Sequence, residues 1–281
     1  MAPPREALTF PISQAALIDP YLPPTTNTAT LTKPFVTLTY ATSLDSSLSL
    51  SPGVQTALSG PHSKSMTHYL RSKHDVILIG CGTAIADDPS LNCRIDGVGG
   101  YGGDGLQGQP RPVVLDPRGR WDVSGESKVI KLAKEGRGKA PWVLVLEDVI
   151  VQEPKKLKEK QMLLEGVGGR VFSLTKKQEQ EDGSMNWDTI LSLLAGEGVK
   201  SVMVEGGGTV INDLLSPRYL HLVDSVIITV APTWLGKGGV TVIPDERRDD
   251  QEKKIPVGRL KEVHWVPSGD DVVLCGRPDV I

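Results

Sequence analysis

The residues whose types and spacing best suit chemistry sit where apolar runs give way to glycine. In residues 199–215, Val-Lys-Ser-Val-Met-Val-Glu-Gly-Gly-Gly-Thr-Val-Ile-Asn-Asp-Leu-Leu, an apolar run ends at Glu205 and three glycines follow. A helical pattern then opens, with Thr209 in its first turn and Val210, Ile211, Leu214 and Leu215 as its apolar side. Glycine lets the backbone approach a ligand closely, and the free N–H groups at a helix start suit phosphate. A tight strand-to-helix turn needs one glycine with positive φ. Three in a row favour a phosphate cradle, although the pattern is neither a P-loop nor a Rossmann fingerprint and does not name its ligand.

A second run, residues 75–94, repeats the arrangement. The apolar stretch 75–79 ends at Gly80, Gly82 follows, Thr83 offers a hydroxyl, and Asp87-Asp88 precede Pro89, where a short helical turn is predicted to break. Ligands of α/β sheets bind in the crevice beyond the carboxyl ends of the strands, so two glycine-bearing strand ends can face one ligand. For the two aspartates, capping and turn formation is an equally good reading. A third feature is Thr42-Ser-Leu-Asp45, where a carboxylate after a strand can hold a polar heterocycle or simply form a turn. A literal G-x-G-x-x-G at Gly97, Gly99 and Gly102 lies in the glycine-rich stretch 96–109. No strand precedes it and no helix follows, so it carries no dinucleotide meaning, and that much glycine predicts a mobile loop.

These residues need elements to hold them. Period-two or continuous apolar runs at 35–41, 75–79, 112–116, 142–147, 170–174, 199–205, 223–231 and 271–275 predict strands. Helical spacing at 63–74, 155–165 and 187–195 predicts helices, with the charged run 155–160 read as a solvated face. Alternating strands and helices predict one α/β domain over 34–281 with a largely parallel central sheet flanked by helices. The last two strands are expected to form an antiparallel C-terminal edge. Residues 1–33, rich in Pro, Thr and Ala, read as an irregular N-terminal arm.

Composition narrows the function. A net charge of −3 gives no global attraction to nucleic acid or to an anionic membrane, so an anionic ligand needs a local site. Three cysteines without C-x-x-C spacing, and five histidines without H-E-x-x-H, argue against a disulfide framework and a metal site. No apolar run is long enough for a membrane span, and a cytoplasmic location is expected.

Four blocks in order, residues 35–45, 70–94, 110–116 and 202–209, resemble the pyrimidine reductases of riboflavin biosynthesis, in particular the stand-alone fungal type. The resemblance implies a dihydrofolate-reductase-like fold, a homodimer, and NADPH-dependent reduction of 2,5-diamino-6-(ribosylamino)pyrimidin-4-one 5′-phosphate to its ribitylamino form. It implies NADP contacts at Thr83 and Asp87, phosphate contacts at Gly206, Gly207, Gly208 and Thr209, substrate contacts at Asp45 and Glu205, and Arg94 at the substrate phosphate. Asp45 and Glu205 are the expected proton-handling groups. The chain departs from the family where a small-basic pair usually follows Ser-Leu-Asp, having Ser46-Ser47 instead. It has neither H-x-E nor P-C-x-x-C, so no deaminase activity is expected. Two other readings fit the same blocks: a reductase of a folate or pterin-like substrate, and a non-catalytic NADP-binding protein. Turnover of dihydrofolate would mark the first, and NADPH binding without turnover the second.

Overall fold

The computed structural model describes residues 6–24, 33–175 and 185–279. Helix α1 (Ile12–Ile18) and a 3-10 turn precede β1 (Phe35–Thr42), the short β2 (Ser47–Ser49), α2 (Pro61–Ser72), β3 (Val76–Gly80) and α3 (Cys81–Asp87). The glycine-rich stretch carries β4 (Val98–Gly99) and β5 (Gly102–Gly103). It is followed by β6 (Arg111–Leu115), α4 (Lys128–Lys134), β7 (Trp142–Leu146), α5 (Glu147–Gln152), α6 (Pro154–Glu165) and β8 (Arg170–Leu174). After α7 (Trp187–Gly196) come β9 (Ser201–Gly206), α8 (Gly208–Leu214) and β10 (Ser225–Val230). Three two-residue strands, β11 (Val240–Thr241), β12 (Arg247–Arg248) and β13 (Lys254–Ile255), lead to the long hairpin of β14 (Arg259–Ser268) and β15 (Asp271–Asp279).

Among the described residues nine strands form one sheet in the order β14-β15-β10-β1-β9-β3-β6-β7-β8. From β10 to β8 every neighbouring pair is parallel. β15 and β14 close the other side antiparallel. The expected architecture is therefore present with one change. The antiparallel edge is made by β15 and β14, and β10 belongs to the parallel part.

Strand alternation sorts the core. On β3, Val76 and Leu78 face one side with α7 and α8, packing against Trp187, Ile190, Leu191, Leu194, Ile211 and Leu214. Ile77 and Ile79 face the other, with Val129 and Ile130 of α4 and Leu157 and Leu164 of α6. Met203 and Ile227 meet Met66 and Leu70 of α2 beneath Ile18, Tyr21 and Leu22. Strands apolar on both faces need helices on both faces, and this arrangement leaves the carboxyl ends of β1, β9, β3 and β6 side by side.

Three expectations change in detail. The arm is expected to be irregular, and part of it lies outside the described residues. Its described part includes α1, and Ile18 and Tyr21 are buried against the body. The stretch 96–109, read as a mobile loop, has a defined fold. Gly99 N–H donates to Gln107 O at 2.8 Å, and the buried Gln109 side chain donates to the carbonyls of Cys93 and Gly99 at 2.7 and 2.8 Å. A Cβ on Gly99 would sit 2.5 Å from the Gly105 carbonyl oxygen, so the glycine serves close backbone packing. Finally, the run 155–160 is not wholly solvated. Lys160 shares the inward stripe of α6 with Leu157 and Leu164, and is buried. Its ammonium lies 3.1 Å from the buried Asp116 carboxylate.

Candidate active site

The carboxyl ends of β1, β9, β3 and β6 open onto a cavity of about 580 Å³. The β9–α8 turn forms one wall. Gly206 takes φ +99°, a conformation that disfavours any side chain, and a Cβ there would meet Ile211 Cδ1 at 2.6 Å. Gly207 brings its N–H to 3.0 Å from Thr83 Oγ1, and a Cβ would stand 2.8 Å from that oxygen. A Cβ on Gly208 would stand 2.3 Å from Val240 Cγ1, so close packing accounts for all three glycines. No side chain caps α8, so helix geometry leaves the N–H groups of Gly208, Thr209 and Val210 without intrahelical acceptors.

α3 supplies the adjoining wall. It starts directly at the end of β3 and ends at Asp87, with Asp88 in the left-handed region at φ 40°. Asp87 lines the cavity, and burial raises its pKa against the opposing pull of Lys128. Beyond β6, Asp116 fixes a turn by accepting the N–H groups of Arg120 and Trp121 at 2.8 and 3.0 Å. The buried Lys160 neutralises it. That turn sets Arg120 on the cavity wall, its Nη2 3.1 Å from Cys81 Sγ. Arg120 is the only cationic side chain lining the cavity among the described residues. Burial holds the Cys81 thiol above its usual pKa, so it stays protonated and unreactive.

Glu205, the last residue of β9 before the glycines, also lines the cavity. Its carboxylate is gripped by Arg71 of α2, with Nε to Oε1 at 2.7 Å and Nη2 to Oε2 at 2.6 Å.

Of the residues singled out from sequence, the structure gathers Thr83, Asp87, Glu205, Gly207, Gly208 and Thr209 around the one cavity. Gly206 lies behind its wall. Asp45 and Arg94 are not brought there. The Asp45 carboxylate accepts from the Ser43 hydroxyl and from the N–H groups of Leu235 and Gly236 at 3.1 and 2.8 Å. Those bonds, the Ser43 hydroxyl first, hold its pKa down to about 2. Arg94 turns towards the arm, donating to the Glu6 carbonyl at 2.9 Å and approaching His68 Nε2 at 3.4 Å. At the Ser46-Ser47 departure, Ser46 takes φ 59° and Ser47 is buried in β2, its N–H donating to Ser43 Oγ at 3.0 Å.

Sequence reasoning missed Arg71 and Arg120. For Arg120 a signal existed, since Asp116-Pro-Arg-Gly-Arg120 is a basic turn directly after a strand. Arg71 sits beside the buried Leu70 in a helical pattern, and nothing local marks it.

Comparison with known proteins gives a consistent set of relatives. The RibD C-terminal domain family matches residues 34–274. The 2,5-diamino-6-ribosylamino-4(3H)-pyrimidinone 5′-phosphate reductase of Debaryomyces hansenii is 41% identical over 262 residues, covering 92% of this chain and 94% of the relative. The protein of the same name from Saccharomyces cerevisiae is 38% identical over 258 residues, covering 92% of each. The solved structure of the S. cerevisiae riboflavin biosynthesis reductase Rib7 superposes with a TM-score of 0.69 at 33% identity, over 94% of this chain and 98% of that one. Acinetobacter baumannii RibD, at 22% identity and a TM-score of 0.65 over 88% of this chain and 58% of its own, shares the fold.

Proposed function

The chain belongs to the RibD C-terminal domain family, and from that premise we propose that it reduces 2,5-diamino-6-(ribosylamino)pyrimidin-4-one 5′-phosphate to its ribitylamino form with NADPH, in riboflavin biosynthesis. One observation carries the reading: similarity over 92% of the chain to a reductase of that name coincides with one cavity lined by the two glycine-bearing strand ends. The pterin and binding-only alternatives have no comparable support.

The donor set fits a phosphorylated nicotinamide cofactor. The N–H groups of Gly208, Thr209 and Val210 and the Thr83 hydroxyl suit its diphosphate, and the Asp87 carboxylate suits a ribose hydroxyl. The strand order sets Arg120 at the β6 end of the cavity, away from β1 and Glu205. A cation there would favour the extra phosphate of NADPH over NADH. When bound, the nicotinamide supplies the hydride. The protein orients the sugar, excludes water and provides fixed charge. The ribosylamine ring opens to an imine at its anomeric carbon, and Glu205 faces the reacting side chain as an acceptor. Asp45 contributes indirectly, by tying Leu235 and Gly236 to the β1–β2 turn. Arg94 reaches the substrate phosphate only if it releases Glu6.

We also propose a homodimer and a cytosolic location. The three cysteines remain free thiols, as suits a reducing compartment. Steady-state assays test the reaction. The wild-type protein should oxidise NADPH only when the ribosylamino-pyrimidine phosphate is present, and Glu205→Gln should lower kcat by on the order of a hundredfold. Unchanged turnover in that variant would remove Glu205 from the mechanism.

A further inference from the structure

Glu205 does not meet the cavity as a free carboxylate. Arg71 reaches it from the last turn of α2 in a fork-to-fork pair, at 2.7 and 2.6 Å, and its remaining nitrogen donates to the Asn92 carbonyl at 3.0 Å. The two side chains are only 13% and 16% exposed. Such a pair occupies one lone pair on each carboxylate oxygen and fixes the plane of the group. Each oxygen keeps a second lone pair. Nothing in the sequence motif of β9 predicts this anchor, because Arg71 lies 134 residues away.

We propose that Arg71 is the positioning residue of the site, holding the Glu205 carboxylate in one orientation so that it acts as a fixed acceptor towards the reacting side chain. The proposal rests on the reductase reading above. Its chemistry follows from charge. When the sugar ring opens, the bond between the anomeric carbon and the ring oxygen breaks, that oxygen leaves as a hydroxyl, and the exocyclic nitrogen forms a double bond to the carbon. Uptake of a solvent proton makes that nitrogen cationic. Hydride arriving at the carbon discharges it to the secondary amine. A carboxylate held in place beside the cavity stabilises the cation without reorganising.

The other titratable groups on the cavity wall are Tyr40 of β1, Cys81 and Asp87 of α3, Asp213 of α8 and Arg120 after β6, with Cys93 beside Arg71. Burial pushes Tyr40 up to about 12 and raises both thiols, so of the neutral groups none ionises near neutral pH. Asp87 is a carboxyl with a raised pKa, so signals must be assigned by Glu205→Gln.

The test compares wild type, Arg71→Gln, Arg71→Lys, Glu205→Gln and the double variant Arg71→Gln/Glu205→Gln. Arg71→Gln should lose on the order of tenfold or more in kcat with a smaller change in KM. The double variant should lose little more than Glu205→Gln alone, because Arg71 acts through Glu205. Arg71→Lys, which keeps the charge and loses the fork, should recover part of kcat. Without substrate, the infrared carboxylate stretching bands that Glu205→Gln removes should be shifted in Arg71→Gln. If the Arg71 variants lose only thermal stability, if the two losses simply add, or if those bands do not move, the proposal is overturned. If the wild-type protein fails to turn over the pyrimidine, the reductase reading falls, while the infrared arm still decides whether Arg71 holds the Glu205 carboxylate.

Discussion

Arg120 stands on the cavity wall at the end of the turn that Asp116 fixes. Its charge stands alone among the described residues lining the cavity, in the company of Asp87, Glu205 and Asp213. A charge-assisted hydrogen bond contributes about 1.5–3 kcal/mol. Arg120→Gln should therefore lower kcat/KM for NADPH by roughly tenfold to a hundredfold and leave NADH nearly unaffected. A parallel change for both cofactors would assign Arg120 another task. Thr83, Glu205 and the glycines of the β9–α8 turn were legible because a strand followed at once by glycine is a local signal. Orientation was not legible. Asp45 and Arg94 occupy family-like positions, yet one carboxylate ties a loop and one guanidinium ties the arm. Arg120 left a local signal in its basic turn after β6, whereas Arg71 becomes part of the site only through the folding of segments distant in sequence.

At the scale of elements, the α2–β3 junction shows how a buried polar residue makes the fold sensitive to pH. His74 Nδ1 lies 2.7 Å from the Leu70 carbonyl and must donate to it, so Nε2, 2.8 Å from Thr37 Oγ1, accepts. Burial lowers the His74 pKa from 6.5 to about 4, leaving the ring neutral in the fold. The unfolded chain takes up this proton first as pH falls. Stability is full above about pH 6.5 and declines towards pH 4, by about 3 kcal/mol at most. Urea unfolding over that range should show the decline, and His74→Gln should flatten it; an identical slope in the variant would place the dependence elsewhere. The elements themselves were mostly legible, because strands buried on both faces read as continuous apolar runs. β14 was missed because Arg-Leu-Lys-Glu-Val-His-Trp-Val-Pro-Ser is an edge strand buried only at Val266 and Ser268, and edge strands carry little alternation. α4 and α5, with 7 and 6 residues, were too short to display a helical period.

The whole molecule is governed by strand order, which periodicity does not encode. The α/β class followed from alternation, whereas the neighbours β1, β9 and β3, drawn from distant segments, emerge only in three dimensions. That order makes the cavity. It also leaves β14 as a ten-residue edge with Val263 and Trp265 exposed at 45% and 55%, apolar side chains beside an unpaired strand edge. Such an edge favours cover by another chain. The 30.2 kDa protomer should therefore have about twice that mass by light scattering, and Trp265→Glu should shift it towards the monomer. A monomeric wild-type mass would refute the homodimer.

Isotope transfer would follow the hydride from the nicotinamide to the sugar carbon of a ribosylamino-pyrimidine bound in the cavity. NADPH deuterated on each face of nicotinamide C4 in turn would be consumed with the substrate, and the product analysed by mass spectrometry and NMR. One of the two labels should place a single deuterium on the former anomeric carbon for each NADPH oxidised. Deuterium in the pyrimidine ring, or oxidation of NADPH without label on that carbon, would contradict that transfer.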